Sequence, residues 1–464
     1  MSLIKSISGI RGTIGGQVGD NLTPLDAVKF ASAYGTWLKN ITSKSDKNLK
    51  VVIGRDARIS GPMIHNLVIN TLIGLGIDVV DLGLSTTPTV EIAVPLENAD
   101  GGIIITASHN PKQWNALKLL NNKGEFLNAE NGEKILEIAE NEAFDFAEVD
   151  DLGIVTVNDD YMNIHINEVL KLSLVDIEAI KNAKFKVVVD AVNSSGGIII
   201  PRLLKMLDVE VVELYCEPNG HFPHNPEPLK EHLTVISELV VTEKADLGIV
   251  VDPDVDRLAF ICENGEMFGE EYTLVACADF VLSKTLGNTV SNMSSTRALR
   301  DVTLANKGNY EASAVGEVNV VELMKKNNAV IGGEGNGGII YPESHYGRDS
   351  LVGIALFLTL LANKKMKVSE LRSSYPEYYM SKNKIELTPT IDVDAILIAM
   401  IEKYKSEKIT TIDGVKIDFA QNWVHLRKSN TEPIIRIYTE ASTQELADDL
   451  AHQIINEIKI IAKI

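Results

Sequence analysis

Three aspartates spaced two residues apart, Asp252, Asp254 and Asp256, follow the apolar run LGIVV and precede Arg257. In an extended segment alternate side chains share a face, so the three carboxylates are expected to point the same way. Three like charges that close raise one another's pKa unless a cation neutralises them. An all-oxygen ligand set selects a hard divalent ion, Mg²⁺ above all where phosphate is present. A solvated acidic turn is the alternative. An EF-hand is excluded, because Arg257 stands where that loop requires glycine and the flanks read as strands.

A second group is residues 106–111 (TASHNP), directly after the apolar run GGIII. A loop at the C-terminal edge of a parallel strand is where open α/β sheets bind ligands. Asn110-Pro111 constrains the chain, so Ser108 is presented on a turn. A bare serine needs a base or a metal before it can attack. Alone, the hexapeptide and His109 within it read more readily as a polar, solvated turn.

Residues 332–338 (GGEGNGG) satisfy GxGxxG, but a strand-like IIYP follows where a dinucleotide-binding loop would open a helix. Backbone bared by glycine, with Glu334 and Asn336 as polar partners, suits a polyhydroxylated ligand. A plain glycine turn is equally open. Residues 427–433 (RKSNTEP) combine the Arg427 guanidinium with Ser429, Asn430 and Thr431, and Arg436 follows. These are the parts of a phosphate cradle, with arginine supplying bidentate recognition. Alone, they read as a basic turn.

The elements that must position these groups alternate. KVVI (residues 50–53) reads as a buried strand, residues 62–74 as a helix, and residues 77–82 and 102–106 as further strands. The βαβα rhythm restarts at FKVVVD (residues 185–190), and a third time between residues 270 and 340. It implies three similar α/β domains. After about residue 375 the pattern changes to a strand-like KIEL, a helix over 392–404, the hairpin-like GVKIDFAQNWVHLR, a strand IIRIY and a helix over 443–463. Strands beside helices without that alternation indicate a separate α+β domain. The expected domains are residues 1–155, 156–260, 261–375 and 376–464.

The chain of 464 residues is about three times an ordinary domain of ~150. A net charge of −20 repels nucleic-acid phosphates and anionic membranes, so neither is an expected partner. The three cysteines form no CxxC pair, and no apolar run has signal-peptide or membrane-spanning length. A cytoplasmic protein is expected. Nothing in the sequence sets its oligomeric state.

The order TASHNP, DPDVDR, GEGNGG, RKSNTEP, with SGIRG near the N-terminus, resembles the alpha-D-phosphohexomutase superfamily, from Ser8 almost to the C-terminus. The resemblance implies three α/β domains with mixed sheets and a C-terminal α+β domain around a central cleft. It implies that Ser108 carries a transferable phosphate. Asp252, Asp254 and Asp256, with an oxygen of phospho-Ser108, would hold Mg²⁺. Lys118 matches the general acid/base, with His109 and Arg11 beside it. Glu334 and Asn336 match the sugar-contacting loop, Arg257 the substrate side of the metal motif, and Arg427, Ser429, Asn430 and Thr431 the loop for the non-reacting phosphate. The implied reaction moves a phosphoryl group between O6 and O1 of a hexose phosphate through a sugar bisphosphate, which also serves as activator.

The chain departs from the family pattern in places. SISGIRG lacks the threonine of FGTxGxRG, Asn336 stands for a serine and Gly338 for a histidine of GExSGH. The variants look closer to the phosphoglucosamine and phosphomannomutase branch, and glucosamine 6-phosphate is the expected substrate. Mannose or glucose phosphate is the first alternative, and an idle sugar-phosphate-binding protein or a phosphohydrolase on the same fold the others.

Overall fold

The computed structural model describes residues 2–6, 9–42, 48–386, 392–428 and 434–462. The chain divides into two compact units, one running to Phe280 and including Asn336–Leu371, the other Val281–Gly335 with the chain from Arg372 onward. Among the described residues no helix is long and apolar enough to cross a membrane.

The first unit holds a seven-stranded sheet in the order Ile4–Ser6, Gly9–Thr13, Trp114–Leu120, Gly101–Ile105, Lys50–Arg55, Asp78–Leu84, Val155–Val157. Its last four strands are parallel and its first three antiparallel, so the sheet is mixed. Gly101–Ile105 is buried along its whole length, as an uninterrupted apolar run requires when helices cover both faces. The helix Pro24–Ile41 covers one face. Thr23 caps it reciprocally with Asp26, proline opens it, and Phe30, Tyr34, Trp37 and Leu38 repeat at helical spacing on its buried side. Each such buried side chain contributes about 1.5–3 kcal/mol.

The same unit holds a four-stranded sheet in the order Leu258–Cys262, Leu247–Val251, Lys186–Asp190, Glu210–Leu214. The three later strands in that order are parallel, and Leu258–Cys262 returns antiparallel on the edge. The strand Gly338–Ile340 and the helix Ser350–Lys364 also belong to this unit, the helix capped by the Asp349 side chain.

In the second unit Asn288–Asn292 runs parallel between Tyr310–Ser313 and Ala329–Glu334. A separate five-stranded antiparallel sheet follows, in the order Tyr379–Glu386, Ile434–Ala441, Trp423–Lys428, Val415–Asp418, Lys408–Thr410. The helices Val393–Lys403 and Gln444–Ala462 bury Ile396, Met400, Ile454 and Ile458 in one core with it. The observed architecture is thus three α/β sheets and a C-terminal α+β domain, as the strand rhythm implied.

Candidate active site

The strand Gly101–Ile105 delivers Thr106 to the sheet edge, and the antiparallel partner Trp114–Leu120 returns from it. The intervening loop carries Ser108, buried and held at φ 49°, a left-handed conformation that costs a non-glycine residue about 1 kcal/mol. Contacts on both sides of its backbone hold it there. The Ser108 N–H donates to Thr106 Oγ1 at 2.9 Å, and Thr106 Oγ1 donates to Asp56 Oδ2 at 2.7 Å. The Arg58 guanidinium donates to the Ser108 carbonyl, and to the carbonyls of Asn110 at 2.6 Å, Pro111 at 2.8 Å and Trp114 at 3.0 Å. Asp56 pairs with Arg58, Nε to Oδ2 at 3.0 Å, and neither side chain has any solvent exposure.

The strand Leu247–Val251 must reverse into Leu258–Cys262, with Val251 opposite Leu258, so residues 252–257 form a tight turn. This corrects the expectation of an extended acidic segment. Val255 has φ 65°, and Asp252 Oδ1 accepts the N–H groups of Asp256 and Arg257, each at 3.1 Å. The carboxylates converge all the same: ligand oxygens of Asp252, Asp254 and Asp256 lie within 4.8 Å of one another, and all three residues are fully buried.

The Ser108 hydroxyl donates to Asp252 Oδ2 at 2.8 Å. Lys118, on the returning strand, reaches Asp254 Oδ2 at 2.7 Å and Asp256 Oδ2 at 3.3 Å. Arg348, just before the helix Ser350–Lys364, reaches Asp256 Oδ2 at 2.7 Å, and Thr87 donates to Asp254 Oδ2 at 2.6 Å. Burial, then Asp254 and Asp256, push the Asp252 carboxyl well above the usual carboxylate range. Burial acts the same way on Asp254, but Lys118 and the Thr87 hydroxyl outweigh it and hold its pKa low. Burial alone would lower the Lys118 pKa, and the two aspartates raise it instead. Arg11, on Gly9–Thr13, donates to Asn110 Oδ1 at 2.9 Å. His109 Nδ1 lies 3.5 Å from Ser108 Oγ, and burial, then Arg257 and Arg11, hold its pKa well below the usual histidine value.

The donor set fits a small divalent cation. It consists of oxygens alone, and Asp254 Oδ1 and Asp256 Oδ1 are buried with no hydrogen-bond partner. A serine hydroxyl touching such a cluster is arranged for phosphoryl transfer, which needs positioning and charge neutralisation more than covalent chemistry.

Other residues singled out from the sequence are placed as follows. Arg257 NH1 donates to Glu227 Oε1 at 3.2 Å. Asn336 Oδ1 accepts the Gly338 N–H at 3.2 Å, closing its own turn. In the second unit, Glu334 Oε1 accepts from Asn292 Nδ2 at 2.9 Å and from the Gly316 N–H at 3.1 Å, and Arg427 NH1 lies 3.7 Å from Asp413 Oδ2. Ser429, Asn430 and Thr431 lie outside the described residues. The sequence reading missed Asp56, Arg58 and Arg348, and gave Thr106, within TASHNP, no role. For the first two a signal existed: DAR directly follows the buried strand Lys50–Arg55, at the sheet edge where ligands bind.

Four models describing phosphoglucomutase/phosphomannomutase domains match in order: alpha/beta/alpha domain I over residues 3–146, domain II over 163–265, domain III over 269–379 and the C-terminal domain over 386–457. A curated phosphoglucomutase/phosphomannomutase of Thermococcus kodakarensis is 38% identical over 440 residues, covering 94% of this chain and 95% of the relative. The chain belongs to the phosphoglucomutase/phosphomannomutase family. A phosphoglucosamine/phosphogalactosamine mutase of Sulfurisphaera tokodaii is 34% identical over 470 residues, all of both chains. A family member of known structure from Burkholderia thailandensis superposes with a TM-score of 0.83 at 24% identity, covering 99% of this chain and 98% of its own. The chain is thus a phosphohexomutase, an isomerase of the alpha-D-phosphohexomutase superfamily.

Proposed function

We propose that this phosphohexomutase interconverts hexose 6- and 1-phosphates through phospho-Ser108, with glucosamine 6-phosphate as its preferred substrate. The observation that carries the mechanism is the Ser108 hydroxyl at 2.8 Å from Asp252, inside a buried triad of carboxylates. O1 of the sugar attacks the phosphorus of phospho-Ser108, the P–Oγ bond breaks, and the sugar holds two phosphates. After the bisphosphate turns around, Ser108 Oγ attacks the phosphorus of the 6-phosphate, the P–O6 bond breaks, O6 takes up a proton, and the hexose 1-phosphate leaves as product. Lys118 is assigned as the general acid/base, giving a proton to the departing Oγ as it takes one from O1, with His109 beside the serine and Arg11 fixing Asn110 of the same loop. Asp252, Asp254 and Asp256, with a phosphoserine oxygen, would hold Mg²⁺, which neutralises charge developing on the transferring group. Glu334 and Asn336 are assigned to the sugar hydroxyls. Arg427 and its loop are assigned to the non-reacting phosphate, Arg257 to the substrate side of the metal motif.

The substrate choice is supported by the GEGNGG variant, by the chain's surplus of carboxylates, which would reward a C2 ammonium, and by the Sulfurisphaera relative's name. One charged hydrogen bond to that ammonium is worth roughly 1.5–3 kcal/mol, about tenfold to a hundredfold in kcat/KM. The Thermococcus relative's name favours glucose and mannose phosphates as the second reading.

Two measurements test this. Incubated with a sugar bisphosphate, the wild type gains the mass of one phosphate and Ser108→Ala does not, and the variant loses turnover while keeping sugar-phosphate binding. Near-normal turnover by Ser108→Ala refutes the mechanism. Steady-state kinetics on glucosamine, glucose and mannose 6-phosphates decide the substrate, and a preference for either of the last two refutes the choice of glucosamine.

A further inference from the structure

In the second unit, the arginine assigned to phosphate and the glutamate assigned to sugar are joined by a short polar chain through a residue that no motif singles out. Asp413 sits in the turn between the strands Lys408–Thr410 and Val415–Asp418. Its Oδ2 faces Arg427 NH1 at 3.7 Å and accepts the Val315 N–H at 3.0 Å. The next amide along, that of Gly316, donates to Glu334 Oε1 at 3.1 Å. Gly316 has φ 115°, a conformation L side chains rarely adopt, and Asp413 braces the residue just before it through the Val315 N–H, so it holds the turn that presents this amide.

The brace is itself fixed. Gly414, at φ 69°, packs so closely that a Cβ would lie 2.1 Å from the Leu426 carbonyl oxygen, which seats the turn on the strand carrying Arg427. His425, on that strand, lies with Nε2 at 2.7 Å from the Asp413 carbonyl oxygen and Nδ1 at 2.8 Å from Ser294 Oγ. A carbonyl can only accept, so Nε2 carries the proton and Nδ1 accepts from the serine. Ser294 adjoins Ser295, whose hydroxyl donates to Asn292 Oδ1 at 3.1 Å, while Asn292 Nδ2 donates to the same Glu334 Oε1 that accepts the Gly316 amide.

We propose that Asp413 is a positioning residue that couples phosphate capture by Arg427 to the presentation of Glu334. It rests on the assignment of Arg427 to the non-reacting phosphate and of Glu334 to the sugar. A phosphate dianion arriving at Arg427 competes with the Asp413 carboxylate for the guanidinium and repels it. Asp413 therefore weakens phosphate binding in the resting protein. Displacing it from Arg427 shifts the Val315–Gly316 amides, and with them Glu334. Phosphate binding energy thereby reaches the group that reads the sugar, which is how contacts remote from the reaction raise kcat/KM.

The test uses the full chain with inorganic phosphate as probe, followed by kinetics. Arg427→Ala should abolish phosphate binding by calorimetry. Asp413→Asn keeps an acceptor for the Val315 N–H but loses the charge, so phosphate should bind three- to tenfold more tightly. Glu334→Gln and Arg427→Lys should be non-additive in kcat/KM by at least threefold, and additive when combined in an Asp413→Ala background. A merely structural Asp413 would lower the melting temperature and leave both the phosphate affinity and the non-additivity in place, which overturns the coupling. Unchanged phosphate binding in Arg427→Ala is a separate result: it removes the phosphate-loop assignment itself, and the coupling with it.

Discussion

The Arg58 guanidinium donates to the Ser108 carbonyl from a position with no solvent exposure, and the Asp56 carboxylate pairs with it there. Asp56 also receives the Thr106 hydroxyl, which in turn receives the Ser108 N–H. One buried ion pair thus restrains the serine on both sides of its Cα.

Breaking a buried pair leaves an uncompensated charge and costs about 3–5 kcal/mol, whereas replacing both partners by apolar residues is often neutral. Arg58→Met is therefore expected to lose about that much stability by denaturant titration. The double variant Arg58→Met with Asp56→Leu should recover part of it. Neither should recover turnover, because the loop carbonyls of residues 108, 110, 111 and 114 have lost their common donor. Recovery of activity together with stability would show that the pair serves the fold alone.

How much of this could be read in advance follows from what a sequence carries. Elements with one apolar face or an uninterrupted apolar run, such as Lys50–Arg55, Gly101–Ile105 and Leu247–Val251, were legible because spacing reports burial. The helix Pro24–Ile41 was not read, since it is buried over most of its surface and its apolar stripe lacks a clear polar complement. Lys118 reads on its own as an exposed lysine, yet it is buried, because two aspartates over 130 residues away compensate its charge. Arg58 and Arg348 reach their partners across 50 and 92 residues, and local spacing says nothing about pairs so far apart. Ser108 and the three aspartates were found as motifs, while the turn that gathers the carboxylates is dictated by the antiparallel return of Leu258–Cys262.

Gly337 shows why the glycine-rich stretch needs glycine at one position. It has φ 84°, and an added Cβ would lie 2.0 Å from the Leu258 carbonyl oxygen, a backbone atom that cannot step aside. Gly19 has φ 82° with nothing near the added atom, so it isolates the conformational cost. Gly19→Ala should cost about 1–2 kcal/mol. Gly337→Ala should cost clearly more and lower activity, because Leu258 directly follows the turn that carries the three aspartates. Equal costs at the two sites, by denaturant titration, would mean that the close approach carries no weight.

His425 gives the fold a measurable acid sensitivity. Burial pushes its pKa down to about 4, from the 6.5 of an exposed histidine. Between those values the unfolded chain binds the proton and the folded chain does not, so stability rises with pH across that window. The contribution is complete above pH 6.5 and is lost as pH falls toward 4. It amounts to about 3 kcal/mol at most. Subtracting the pH–stability curve of His425→Gln from that of the wild type isolates it. A difference curve flat between pH 4 and 6.5 contradicts the assignment of a neutral, buried imidazole.

Lys118 and Arg348 form ion pairs with carboxylates of the triad, so a bound Mg²⁺ would compensate the same charges. Lys118→Met removes one of them and leaves Asp254 and Asp256 buried with less compensation, which destabilises the protein by the penalty for an unpaired buried charge. A ligand that binds only the folded state stabilises it by mass action, by about 2.7 kcal/mol at a hundred times its Kd. Because the variant offers Mg²⁺ a more negative and less occupied site, its melting temperature should rise further on adding Mg²⁺ than that of the wild type. Asp254→Asn should respond less than the wild type, and Ca²⁺, with its larger and looser coordination, should act differently from Mg²⁺ in all three proteins. Differential scanning calorimetry with and without chelator makes the comparison independent of catalysis. If Mg²⁺ shifted the wild type, Lys118→Met and Asp254→Asn equally, the cation would be binding elsewhere, and the triad would have to be read as a structural cluster neutralised by Lys118 and Arg348.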